Sequence, residues 1–126
     1  MLLAAGIYSA DSASSAKMLK TISSREALEL IKKNKSNSNF FILDIRTPDE
    51  FKSSHINGAI NIDYYSKNFK DDLNVHDKSK KYLVYCRSGH RSGLAMPIMT
   101  ELGFSEVYNM AGGINDWLAN KFAVVK

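Results

Sequence analysis

A single cysteine, Cys86, excludes an intramolecular disulfide and any metal site built on cysteine pairs. Histidine is scarce too: His55, His76 and His90 are not at ligand spacing with one another, so no metal is expected and nothing asks for a cofactor. Long hydrophobic runs are missing. The apolar stretch at the amino end, Leu2 to Ala10, falls far short of the roughly 20 residues that a membrane-spanning helix needs. There is no internal repeat, and 126 residues give room for one domain. A domain of that size can bury about two thirds of its unfolded surface.

Positive charge is in mild excess, with 17 Lys and Arg against 13 Asp and Glu, a formal +4. The lysines gather in Lys32-Lys33-Asn34-Lys35 and Lys78-Ser79-Lys80-Lys81. Both patches sit at the edges of predicted elements without interleaved aromatics, which argues for solvated faces and against nucleic acid. A modest positive field suits a small anion.

Residues 1–19 read as a leader. Two readings stay open: the remnant of a signal peptide, with Ser14-Ser15-Ala16 as a small-residue cleavage site, or a flexible leader, since no basic residue precedes the apolar run. The compartment, cytoplasmic or exported, stays open with them. Residues 20–126 read as the folded domain.

Within that domain, Lys20 to Ile22 predicts a first strand, and Ser23 with Glu26 forms a capping box for a helix that stops near Asn34. Phe40-Phe41-Ile42-Leu43-Asp44-Ile45 is almost continuously apolar, as in a parallel strand covered on both faces. Thr47-Pro48-Asp49-Glu50 supplies an N-cap, an N1 proline and a capping partner for a short helix. A short strand over Ala59 to Ile62 precedes a loop and an irregular helix that turns Phe69 and Leu73 inward. His76 to Lys81 is a charged turn. Leu94, Ala95, Ile98, Met99 and Leu102 recur at helical spacing with Gly103 as the stop, and Pro97 is expected to kink or tighten that helix. Glu106 to Met110 predicts the last strand, Gly112-Gly113 a turn, and Asn115 to Lys121 a final helix anchored by Trp117. The alternation implies an α/β sandwich: a central, mainly parallel five-stranded sheet flanked by helices on both faces.

One run stands out: Tyr82-Leu83-Val84-Tyr85-Cys86-Arg87-Ser88-Gly89-His90-Arg91-Ser92-Gly93. An apolar strand ends at the only cysteine, a polar loop with glycine follows, and a helix is expected to open with Ser92 as its N-cap. A thiol at such a bend meets unpaired helix N–H groups, the positive end of the helix dipole, and two arginines. Those surroundings lower a cysteine pKa from about 8.5 into the range of roughly 3.5 to 7.5, so Cys86 is expected to be an ionised nucleophile. The competing reading, a buried structural thiol, fits poorly with a loop carrying Arg87 and Arg91.

Cys86-Arg87-Ser88-Gly89-His90-Arg91-Ser92 resembles the active-site loop of the rhodanese superfamily, sulfurtransferases that carry sulfur as a cysteine persulfide. Leu43-Asp44-Ile45-Arg46 with Glu50-Phe51 and His55-Ile56-Asn57-Gly58-Ala59 resembles the same family, as does Gly112-Gly113-Ile114-Asn115-Asp116-Trp117. The resemblance covers about residues 20 to 120. In one detail the chain departs from it, because Ser54 precedes His55 where the family commonly has glycine.

The resemblance implies a thiosulfate sulfurtransferase-like enzyme in which Cys86 is catalytic and Arg87, Ser88, Gly89, His90, Arg91 and Ser92 bind a small anionic sulfur donor. The acceptor would be cyanide, a thiol or a carrier protein. Asp44 and Arg46 are expected to pair and fix a loop beside the cysteine, His55 to brace a loop, and His90 to face solvent. Two alternatives remain: a protein-binding or sulfur-relay module of the same fold, and a phosphatase or arsenate reductase. Four residues separate Cys86 from Arg91, one fewer than in tyrosine-phosphatase-like loops, which favours a target the size of a sulfur atom.

Overall fold

The computed structural model describes residues 17–126. The leader reading lies outside the described residues except at its end, where Met18 and Leu19 already belong to the first strand. Among the described residues, five strands, β1 (Met18–Ile22), β2 (Phe40–Asp44), β3 (Ile60–Asn61), β4 (Lys81–Tyr85) and β5 (Glu106–Met110), alternate with five helices. The helices are α1 (Ser24–Lys33), α2 (Pro48–Ser53), α3 (Phe69–Asn74), α4 (His90–Glu101) and α5 (Gly113–Ala119). The sheet order is β1-β5-β4-β2-β3, with every neighbouring pair parallel.

Central strands of a parallel sheet are covered on both sides, which is why β2 and β4 are apolar except at one end each, Asp44 and Lys81. In β4, Tyr82 and Val84, followed by Cys86, pack with Phe69, Leu73, Ala95, Met99 and Phe104 under α3 and α4. Leu83 and Tyr85 point the other way, onto Ala27, Ile114 and Trp117 under α1 and α5. The buried Tyr85 hydroxyl is satisfied by the Ile56 N–H, which donates to it over 3.0 Å. Truncating a side chain such as Leu83 to alanine would cost about 2–5 kcal/mol.

Local signals act as their chemistry requires. Ser23 and Glu26 close a capping box on α1, and Thr47 and Glu50 close one on α2 behind Pro48. β1 starts two residues before the expected Lys20 because Met18 and Leu19 pair with Glu106 and Val107 of β5, a partnership that no local pattern reveals. α4 runs through Pro97, which is exposed.

Ser92 is not the N-cap of α4. Gly89 holds that position at φ 95°, a left-handed conformation that costs glycine little, so the helix opens at His90 and the Ser92 side chain is released for another task. The last helix likewise begins at Gly113, before the expected Asn115.

Candidate active site

β2 leads on to β3 on one side of the sheet, and β4 leads on to β5 on the other. Between diverging loops of this kind, at the carboxyl ends of the strands, an open sheet leaves its crevice. Asp44 lies directly across from Tyr85, so the segment Asp44–Arg46 runs beside Cys86.

The cysteine loop is set from behind by α5. The Ile114 N–H donates to the Cys86 carbonyl over 2.9 Å, and the Asn115 N–H donates to the Arg87 carbonyl over 3.0 Å. With those carbonyls turned toward α5, the following N–H groups face the sulfur. Gly89 N–H lies 3.2 Å and Ser92 N–H 3.4 Å from Cys86 Sγ, with Ser92 Oγ also at 3.4 Å. Close approach is possible because residue 113 is glycine. A Cβ there would fall 2.4 Å from the Arg87 carbonyl oxygen and 2.5 Å from that of Cys86.

Cys86 exposes no surface. Burial pushes its thiol pKa up, but the Ser92 hydroxyl and the N–H groups of Ser92, Gly89 and Ser88 all favour the anion, and together they prevail, holding the pKa below its ordinary value. The groups that hydrogen-bond the sulfur are thus amides and a hydroxyl. The arginines are placed elsewhere.

Arg91 grips Glu50, with Nη1 2.8 Å from Oε1 and Nη2 3.0 Å from Oε2, and its guanidinium lies 5.3 Å from the centre of the Tyr65 ring. These Arg91 hydrogen bonds lower the Glu50 pKa from 4.5 to about 2, helped by the α2 capping contacts with Thr47 and opposed by partial burial. Arg87, Ser88 and His90 are exposed on the rim of the loop. Asp44 and Arg46 form a buried pair, with Nη2 2.6 Å from Oδ2 and Nε 3.0 Å from Oδ1. Arg46 Nη2 also donates to the Ser54 carbonyl over 2.7 Å. The Asn61 amide caps the carbonyls of both Asp44 and Arg46. His55 stacks on Phe51 at 3.7 Å and exchanges backbone hydrogen bonds with Val125, which ties the end of α2 to the C-terminal segment.

The sequence reading did not anticipate Glu50 as the partner of Arg91, nor the two α5 amides. Glu50 had a local role as a capping residue, and backbone donors leave no trace in residue identity. Among the described residues, no cluster of three or more His, Cys, Asp or Glu could hold a metal, and no helix is long and apolar enough to cross a membrane.

Comparison with known proteins identifies the family and the fold. The rhodanese-like domain, as a family, matches residues 23–120. Thiosulfate sulfurtransferase GlpE of Coxiella burnetii is 35% identical over 103 residues, which is 82% of this chain and 91% of the relative. Thiosulfate sulfurtransferase PspE of Escherichia coli K12 is 38% identical over 74 residues, 59% of this chain and 70% of the relative. Among solved structures, a rhodanese-related protein from Thermoplasma volcanium superposes with a TM-score of 0.69 at 27% identity, covering 84% of this chain and 97% of that one.

Proposed function

The chain belongs to the rhodanese-like domain family, and on that premise we propose that it is a thiosulfate sulfurtransferase working through a persulfide on Cys86. The observation that carries this reading is the set of donors converging on Cys86 Sγ from Gly89, Ser92 and the Ser92 hydroxyl.

The thiolate attacks the outer sulfur of thiosulfate. An S–S bond forms to Sγ, the bond from the outer sulfur to the sulfonate sulfur breaks, and sulfite leaves with the electron pair. Cyanide or a thiolate then attacks the transferred sulfur, and the pair of the breaking S–S bond returns to Sγ. Splitting one transfer into two displacements is the usual gain of covalent catalysis. The same N–H groups that stabilise the thiolate receive the charge of the persulfide, as an oxyanion hole receives an oxygen anion. Because Cys86 exposes no surface, the donor reaches it when the exposed rim of Arg87, Ser88 and His90 moves aside. Arg87 and His90 meet the anion at that rim, and Arg91, gripped by Glu50, braces the loop.

Incubation with thiosulfate followed by intact-mass measurement tests the proposal. The mass should rise by one sulfur, cyanide should remove it as thiocyanate, and Cys86→Ser should do neither. An unchanged mass after incubation would refute it.

A further inference from the structure

A crevice of about 260 Å³ opens beside the cysteine loop, its lining including Arg46, Glu50, Arg87, Ile114, Asn115 and Leu118. One group of its lining is unusual. Arg46 is 4% exposed, and its Nε and Nη2 are committed to Asp44 and to the Ser54 carbonyl, while Nη1, on a guanidinium that also lies against Tyr85, forms no hydrogen bond of ordinary geometry among the described residues. The sole sealed and unpaired side-chain polar atom among the described residues is Asn109 Oδ1. Nη1 therefore keeps some accessible surface, on a residue that lines the crevice. A buried cation with an idle donor beside a cavity is a waiting half of a charge-assisted hydrogen bond.

The remaining lining narrows the ligand. Glu50, the carboxylate in the crevice, has both oxygens occupied by Arg91. Asp44 balances Arg46, so Arg87, exposed and without a protein partner among the described residues, leaves the crevice one positive charge in excess. Ile114 and Leu118 form an apolar wall, and Leu118 is 44% exposed. An inorganic anion has no use for such a wall. A short aliphatic chain ending in a carboxylate uses both.

We propose that this crevice binds the carboxylate of a small thiol that accepts sulfur from Cys86, with Arg46 Nη1 and Arg87 holding the carboxylate and Ile114 and Leu118 holding its chain. The inference rests on the persulfide reading. In the transfer, the thiolate of the acceptor bonds to the outer sulfur of the Cys86 persulfide, the bond from that sulfur to Sγ breaks, and Sγ keeps the electron pair. The acceptor leaves as a persulfide, with no oxidant or reductant consumed.

Binding is tested without sulfur chemistry by titrating the Cys86→Ser protein with propionate and following the arginine Nε–H and Asn115 amide signals by NMR, with 1-propanol as the uncharged comparator. Saturable shifts with propionate alone, lost in Arg87→Ala, are expected. Use of the site in transfer is tested on persulfide-loaded protein by comparing 3-mercaptopropionate with 2-mercaptoethanol at equal thiolate concentration. The acid should be preferred about tenfold in kcat/KM, the worth of one charge-assisted contact, and Arg87→Ala should cut that to about twofold. The paired variant Asp44→Asn/Arg46→Gln, which leaves no lone buried charge, should do the same. If that variant fails to fold, Arg87→Ala decides. Silence toward propionate, or a preference indifferent to Arg87→Ala, overturns the proposal. A response confined to thiol peptides with acidic side chains also overturns it and assigns the crevice to a protein partner. Failure of persulfide formation alone leaves the propionate result standing.

Discussion

Glu50 and Arg91, 41 residues apart in sequence, meet through two parallel hydrogen bonds of 2.8 and 3.0 Å, fastening the cysteine loop to helix α2. Paired donors and acceptors of this shape fix orientation as well as distance. A double-mutant cycle of Glu50→Gln and Arg91→Ala should show a coupling of about 1 kcal/mol in chemical denaturation, because both side chains are partly screened by water. Glutamine keeps the α2 capping role, so the cycle isolates the pair. Strict additivity would mean that the contact does no work. Arg91→Ala should retain the fold and lose most turnover.

The same pair predicts a weakness toward acid. Glu50 titrates at about 2 in the folded chain against an ordinary 4.5, first because Arg91 donates to it. A lowered folded pKa contributes stability that is fully present above about 4.5 and is lost as the pH falls toward 2. After discounting for solvent, the loss is about 1 kcal/mol. Denaturation curves from pH 6 down to 2.5 should show Glu50→Gln losing less stability than the unaltered chain over this window; parallel losses would contradict the assignment.

Gly113 is predicted to govern the reactivity of Cys86 although it never touches the sulfur. An alanine Cβ would overlap the carbonyls of Arg87 and Cys86 and push the loop off the α5 amides. Gly113→Ala should raise the thiol titration midpoint and reduce turnover at least about tenfold, as expected when a donor set for the anion is misplaced. Gly103→Ala is the matched control: its φ of 95° imposes backbone strain, but nothing lies within 4 Å of the new methyl. It should cost about 1–2 kcal/mol of stability and leave the titration unmoved. Equal effects of the two substitutions would reduce the role of Gly113 to strain alone.

Features written in adjacent residues were legible in the sequence. The two capping boxes close within four residues each, and the run Phe40 to Ile45 announces a covered parallel strand by composition. The place of Cys86, after a strand and before a helix, followed from the same logic. What escaped depends on backbone conformation or distant pairing. The left-handed turn at Gly89 moves the N-cap three residues, from Ser92 to Gly89, and hands Ser92 to the sulfur. The Ile114 and Asn115 amides act through main-chain groups that any residue but proline would carry. The expectation of an acidic thiol survives with a different balance of causes. Ser92 and loop amides hydrogen-bond the sulfur, while Arg91 turns to Glu50 and Arg87 to the rim.

The direct test is the charge on that sulfur. Thiolate ultraviolet absorbance should be followed against pH, with Cys86→Ser as the blank. The midpoint should fall below the ordinary cysteine value of about 8.5, and Ser92→Ala should move it back up, because the Ser92 hydroxyl is one of the groups that favour the anion. A midpoint at or above about 8.5 in the unaltered chain would contradict the account.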